Sequence, residues 1–574
     1  MAIFLKGIRR LGKREEDIEV DIEKIGGSSV PVSVPVKLST DDWLRITGGL
    51  AGTGFSPEEK LNPANASYLS ETFGLNIGYV VISQPAVKNG VVYFGDSGGY
   101  CYAYSVSGIE LWSTYLSSAS GGIAGSPAVE DVVLPDDLSS TTLVFLAAGG
   151  DDTSDQCYLF ALNAWDGTIV WQTPLGSPPG AHCYSSAAVF DGSVYIGYSS
   201  VDDNPLVQSE IVKLDAITGE IQSSFKIVPD GKTGGGVWGS VTIDEDERTL
   251  YFASGNGEDS PSQDYGISVV KLNADTLEYI DHWQNPVVGD EDFGSTPTLF
   301  EGTVTIDGSN RKLVGVGCKD GNYYIFDRND LSGGPVKTIQ FSPSSPNGQT
   351  GLIAPASYNG EQLVIAGPSH DPISATLITN LGIPNADLRY TAKTTGLDGQ
   401  QVSVAYDITG GDIIVTTIAT AIGHAITVLL KNDGETIQAT ADDVLSAIEA
   451  DPYSDALVIV EHAPENDGSG IVDTYGPMNL SGGSVGHVAA YNPNDLTDPI
   501  WDKPVAQWPL GPVISTPYLV FVSSDGIYVF RATDGFQLIK LGSGGPLYGG
   551  ASLAGHVLYF GDPQNNLVYG YSVI

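Results

Sequence analysis

Seven histidines, at His182, His282, His370, His424, His462, His487 and His556, are the first residues to weigh for metal or acid-base chemistry. They are dispersed, and no two stand at a metal-ligand spacing. The four cysteines, Cys101, Cys157, Cys183 and Cys318, form no Cys-x-x-Cys pair, so neither a zinc cluster nor an attached haem is indicated. Three of them fall on or beside predicted strands, and buried free thiols are expected in preference to a disulfide. Carboxylates are plentiful: DDTSD (151–155), DEDE (244–247) and GDED (289–292) cluster the oxygens that Ca²⁺ takes. None has the spacing of a closed calcium loop, so solvated turns are expected. No Ser-His-Asp or Gly-x-Ser-x-Gly arrangement stands out, and Gly234-Gly235-Gly236 lacks the Lys-Ser/Thr of a phosphate loop. No catalytic residue is assigned on these grounds.

The elements that would position any such residue come from a repeat. A phrase returns about eight times from residue 81 to the C-terminus: Ser-x-Pro-Ala-Val, an apolar strand ending in Gly, a small-aromatic strand, then Asp-Gly or Thr-Gly before a Trp or Phe. Its clearest copy is SQPAVKNGVVYFGDSGGYCYAYSVSGIELW, residues 83–112. A unit of four short strands cannot bury both faces alone, so such units must stack around a common axis. The pattern predicts an all-β protein, an eight-bladed β-propeller. The last copy stops before its outermost strand, and YLSETFGLNIG (68–78) has the character to supply it, which would close the ring without an open edge.

The chain of 574 residues has room for more than one domain, and its 71 glycines and 33 prolines suit a turn-dense fold. With 69 acidic against 26 basic residues the net charge is −43, which argues against a nucleic-acid-binding face. There is no run of 18 apolar residues, so no membrane insertion is expected. The N-terminal stretch lacks an uninterrupted apolar core and a small-residue cleavage site, which predicts a protein that does not use the general export route. Residues 1–60 read as an extended docking arm, with SSVPVSVPVKL as its Pro-rich part and Ile3 to Lys13 as a short amphipathic helix. The propeller spans 61–370 and 485–574. Residues 371–484 interrupt it with alternating strands and one helix, TADDVLSAIEAD, which has a Thr cap and apolar positions at Val444, Leu445 and Ile448. That interruption is expected to be a small β-rich, Ig-like domain.

The repeats, together with GLAGTGFSPEEKLNPANASYL (49–69) and GGGVWGSVTID followed by YFASGNG, resemble the PQQ-binding-like quinoprotein dehydrogenase family, as found in polyvinyl-alcohol dehydrogenases. That resemblance implies a quinone on a Trp floor, a divalent cation held by Glu, Asn and Asp, and an Asp base near the axis. Trp238 would be the floor, and Asn256, Glu258 and Asp259 the ligands of a Ca²⁺ beside the quinone. The family's pair of adjacent cysteines and its fused cytochrome motif are missing here, and blade-to-blade packing is the ordinary role of a propeller Trp. The inserted segment, through LRYTAKTTGLDGQQVSVAY, AITVLLKNDGETIQATADDVLSAIEA and GSGIVDTYGPMNLSGG, resembles a β-rich module of tailed-bacteriophage structural proteins.

The second resemblance and the arm lead to the expectation of a non-enzymatic virion protein without a cofactor. It would serve as capsid decoration or a tail or fibre component, docked to other virion proteins through residues 1–60 in a symmetric assembly and touching a host-surface glycan or protein. Its location would be the virion, with cytoplasmic or extracellular as alternatives. The first alternative is a PQQ-dependent alcohol dehydrogenase with Ca²⁺. The second is a carbohydrate-binding propeller, with Tyr100, Tyr184 and Tyr265 stacking on sugar rings.

Overall fold

A computed structural model describes residues 5–9, 16–22, 30–36 and 41–573, apart from loop residues 117–121, 135–138, 151–156, 177–180, 202–204, 259–264, 287–290, 305–308, 344–350, 410, 422, 435 and 543–545. The fold is all-β and propeller-like, with few helices. One meander shows the pattern: strands Ala86–Lys88, Val91–Gly95, Tyr100–Ser105 and Glu110–Tyr115 pair antiparallel in chain order. The same order recurs through 128–175, 188–226, 242–284, 298–340 and 514–541. Inner strands are buried on both faces, as in Ser193–Gly197, while outer ones such as Ile221–Lys226 alternate towards solvent. Strand Leu69–Asn76 pairs with Leu567–Val573 and completes the last meander from the other end of the chain.

The recurring phrase has a physical basis in two ties between neighbouring sheets. Near the axis, the residue before the Pro position carries a hydroxyl that accepts the backbone N–H of its counterpart in the preceding repeat. Ser126 Oγ takes Gln84 N–H (2.8 Å), Ser186 Oγ takes Ser126 N–H (2.7 Å), Ser240 Oγ takes Ser186 N–H (2.9 Å) and Thr296 Oγ1 takes Ser240 N–H (3.0 Å). All are buried, so each bond satisfies a donor that water cannot reach. At the perimeter, the indole N–H of three outer-strand tryptophans donates to a turn carbonyl of the next sheet: Trp112 to Ala164 (3.0 Å), Trp171 to Ala216 (3.1 Å) and Trp501 to Ala532 (2.7 Å). The ring then lies on the turn glycine, Gly167, Gly219 or Gly535. Each of these glycines has φ near +70°, and a Cβ there would come within 2.5–2.6 Å of the indole. Both the left-handed backbone and the ring demand Gly at that turn.

Residues 43–54 walk around the inner strands. Trp43 exchanges backbone hydrogen bonds with Val87, and Leu44, Leu50, Ala51, Thr53 and Gly54 accept from Val129, Ile243, Leu299, Tyr358 and Ser515. This stretch, grouped with the arm by sequence, is thus bonded to propeller strands. Upstream, the expected helix at Ile3 to Lys13 is corrected: Leu5–Arg9 is a strand in a three-stranded antiparallel sheet with Glu16–Ile22 and Val30–Val36. The alternation in EDIEVDI and VPVSVPV explains it, and the strand with Pro31 and Pro35 is at the sheet's edge, where a missing N–H is tolerated.

The interruption is entered by one long strand, Leu363–Ile378. Its first part pairs with Ser484–Asn492 and its last residues pair with Leu388–Thr395. A second sheet runs in the order Ile414–Thr420, Gly423–Lys431, Val402–Thr409, Tyr475–Asn479. Val402–Thr409 and Gly423–Lys431 are parallel, which corrects the Ig-like expectation, since such sandwiches are antiparallel. Helix Ala441–Ala450 begins at a capping box of Thr440 and Asp443 and buries Val444 and Ile448 beside Tyr390 and Tyr406. Short helices at Gly396–Gln400 and Pro452–Leu457 add to the single helix expected.

Candidate functional site

The acidic clusters resolve first. DEDE is no calcium turn: Asp244 is buried and paired with Arg328 (2.5 Å), and Glu247 pairs with Lys312 (2.7 Å). DDTSD lies outside the described residues, as do Gly289 and Asp290. The rest of GDED is informative. Asp292 is buried at 5% exposure, with Oδ1 accepting the backbone N–H of Asn256 (2.6 Å) and Oδ2 facing Lys319 Nζ (3.1 Å). The solvated turn expected there is corrected, because a buried carboxylate needs a counter-charge and finds one.

Lys319 Nζ also stands 5.2 Å from the centre of the Trp238 ring, within cation–π range. Trp238 precedes Ser240 by two residues, as Gly294 precedes Thr296, so the two occupy the same repeat position in successive sheets. A Cβ on Gly294 would fall 1.8 Å from the Trp238 ring, so the indole fits only because the next repeat has no side chain there. Unlike the perimeter tryptophans Trp112, Trp171 and Trp501, Trp238 is only partly buried, although its ring also packs on a glycine of the next repeat, Gly294. The loop beneath it is close-packed backbone: Gly235 N–H donates to Asn256 O (2.7 Å) and Gly255 N–H to Gly236 O (2.8 Å). A Cβ on Gly255 would meet Asp292 at 2.9 Å, so the phosphate-loop-like glycines serve to bring two loops together around the carboxylate.

Of the residues singled out by sequence, Trp238 and Asn256 are thus gathered, together with Asp292 and Lys319. Glu258 is exposed on the side of Thr233 (3.4 Å), and Asp259 lies outside the described residues. Among the described residues no group of three His, Cys, Asp or Glu surrounds a metal position. Lys319 was missed. Its signal is a basic residue opening the Asp-Gly turn of a repeat in a chain with only 26 basic residues. The three tyrosines do not share a platform. Tyr100 stacks with Tyr79 and meets Tyr115 at a tilt, Tyr184 meets His182, and Tyr265 meets Phe225 and Tyr279, all tilted. Concavities of about 190 Å³ beside Lys60 and His556 and about 540 Å³ beside Ile383 and Ile471 are lined by none of the Trp238 group. No helix is long and apolar enough to cross a membrane among the described residues.

The chemistry of the group is that of a partly exposed aromatic ring with an ammonium over it and a carboxylate at its rim. It suits a flat, electron-poor or anionic ring and offers a proton acceptor beside it.

Residues 70–330 match a PQQ-like repeat family described as outer membrane protein assembly factor BamB. The quinohemoprotein alcohol dehydrogenase of Comamonas testosteroni is 27% identical over 329 residues, 50% of this chain and 45% of that protein. The dehydrogenase subunit of the quinone alcohol dehydrogenase of Gluconobacter oxydans is 23% identical over 584 residues, covering 89% of this chain and 72% of that protein. The crystal structure of the Comamonas enzyme superposes with a TM-score of 0.61 at 17% identity, over 93% of this chain and 81% of that one. By sequence, then, the match spans less than half the length of the Comamonas enzyme. These relatives overturn the virion reading, in capsid, tail and fibre forms alike, and with it the expectation of no cofactor. They also leave the likeness of residues 371–484 to a phage module without support. Residues 70–330 are similar to PQQ-like repeats, and the propeller-like fold is similar to that of a quinohemoprotein alcohol dehydrogenase.

Proposed function

We propose that this protein is a quinone-dependent alcohol dehydrogenase, an eight-bladed propeller whose interruption at 371–484 is an inserted domain. The observation that carries the reading is the buried Asp292–Lys319 pair at the rim of the partly exposed Trp238 ring. Those residues fit a planar quinone: an open indole face to stack on, an ammonium to meet carbonyl or carboxylate oxygens, and loops of glycine that admit close approach. When bound, the quinone would supply the two-electron acceptor for the alcohol.

The chain's own residues have defined tasks. Trp238 would hold a bound quinone by stacking. Lys319 would meet its oxygens while staying paired with Asp292 (3.1 Å). Asp292, held by Asn256 N–H on one oxygen, takes the proton from the substrate hydroxyl through the other, the usual role of a positioned carboxylate base. Asn256 is the candidate cation ligand that the fold brings to Asp292; Glu258 is exposed and accepts from Thr233 Oγ1 (3.4 Å). The family resemblance supports Ca²⁺ in this role.

The test is reconstitution of purified protein with pyrroloquinoline quinone and CaCl₂, followed by tryptophan-fluorescence quenching and dye reduction with short alcohols. Saturable quenching with alcohol-dependent dye reduction is expected. Neither signal, at quinone concentrations well above micromolar, would overturn the assignment.

A further inference from the structure

The sulfurs of Cys157 and Cys183 are 2.7 Å apart, although 26 residues separate them in the chain. Cys157 opens strand Cys157–Asn163, opposite Leu175 in the antiparallel ladder. Cys183 follows Ala181–His182, a short strand paired with Ser199–Ser200 at the way into the next sheet. Both are buried in an apolar cluster with Leu175, Ala181 and Tyr198. Cys101 and Cys318 belong to two other clusters, and Cys318 donates to Glu291 O (3.1 Å). Even carbon atoms in contact stand about 3.5–4.0 Å apart, and sulfur is larger, so this approach is well inside non-bonded range.

We propose that Cys157 and Cys183 form a disulfide that staples one propeller sheet to the next, in place of the free thiols expected from sequence. The oxidant is a disulfide, R–S–S–R, of a small thiol or of a thiol-oxidising protein. One cysteine thiolate attacks it, forming a mixed disulfide and releasing R–S⁻; the other displaces the second R–S⁻. The two protons lost by the cysteines end on two R–SH, so two thiols are oxidised and one disulfide is reduced. Because both sulfurs are buried, the exchange belongs to the folding chain. The bridge also braces the Trp238 loop, since His182 pairs with Ser199, a Cβ on Gly236 would touch Ser199 at 2.9 Å, and Val237 N–H donates to Tyr198 O (3.2 Å).

The test uses the full chain, reduced and denatured, then refolded in a glutathione redox buffer, and in parallel secreted by a bacterium into an oxidising compartment. Each product is denatured with an alkylating agent and no reductant, and modified cysteines are located by mass spectrometry. Alkylation of Cys101 and Cys318 alone, with the Cys157 and Cys183 peptides recovered as one cross-linked species, is expected. A Cys101→Ser/Cys318→Ser variant should then take up no label. Alkylation of all four cysteines in both preparations, or a bridge between any other pair, would overturn the proposal.

Discussion

Trp171 and Trp238 arise from the same repeats and do opposite things. Trp171 is buried at the perimeter with its N–H on Ala216 O and its ring on Gly219, so every valence it offers is used inside the fold. Trp238 stands near the axis with one side against Gly294, an ammonium over the ring and part of its face open. A repeat architecture supplies the aromatic residue in both cases. What separates structure from chemistry is whether the neighbouring repeat covers the ring or leaves it uncovered and places charge beside it.

The sharpest way to test that contrast is to remove the charge. With quinone bound, Asp292→Asn should lower the rate of alcohol-dependent dye reduction by about 10²–10⁴-fold, the usual contribution of a general base. Quinone binding, read by fluorescence, should survive, because Asn still accepts the Asn256 N–H. Equal losses in binding and turnover would instead make Asp292 a structural partner of Lys319.

Next in size is the exchange of roles between the two tryptophans. Trp171→Ala should cost about 3–5 kcal/mol of stability, as large-to-small core changes do, and leave the axial site alone. Trp238→Ala should cost less than that, about 2–3 kcal/mol, since the ring is only partly buried, yet abolish quinone quenching. Thermal melts and fluorescence titrations on the same two proteins measure both. A Trp238 variant as destabilised as the Trp171 one would erase the distinction.

How much of this was legible follows from the same contrast. Contacts between repeats recur at both the axis and the perimeter, so the Ser-x-Pro-Ala-Val phrase and the Asp-Gly or Thr-Gly turn announced the meanders, and Leu69–Asn76 could be matched to the last one. The axial site is a single departure from the repeat. Gly294 stands where Trp238 stands one repeat earlier, and Lys319 comes from a third segment. Acidic clusters misled because burial, invisible in sequence, decides whether a carboxylate is a solvated turn, like so many in a chain of −43, or a held group like Asp292. The Ig-like expectation failed for a related reason: alternation marks strands but not their direction, and Val402–Thr409 lies parallel to its neighbour.

A smaller effect tests the hydroxyl ties between neighbouring sheets near the axis. Ser126→Ala would leave the buried Gln84 N–H without its acceptor, at a cost of about 1–3 kcal/mol. Ser126→Thr, which keeps the oxygen, should recover part of it. A neutral Ser126→Ala in chemical denaturation would mean that this hydroxyl tie adds nothing to the packing and the perimeter indole bonds between sheets.

The smallest effect compares two buried aspartates. Asp292 faces an ammonium, whereas Asp96 has only neutral donors: Gly98 and Tyr100 N–H on Oδ1 (2.9 Å each) and Tyr102 O–H on Oδ2 (2.8 Å). Burial pushes the Asp96 carboxyl above its ordinary value, and those hydrogen bonds only partly offset it. A raised folded-state pKa means that the native state binds the proton more tightly than the unfolded chain does. The associated stabilisation is therefore full below the unfolded pKa and is lost as pH rises through the folded one. Asp96→Asn cannot titrate, so the variant should gain relative to wild type as pH rises from about 3 to about 7, a range that spans the carboxylate pKa. Urea titrations at the two ends read this directly. A difference that stays constant across the range would show that Asp96 is as well compensated as Asp292, and that a cation is not what distinguishes the axial carboxylate.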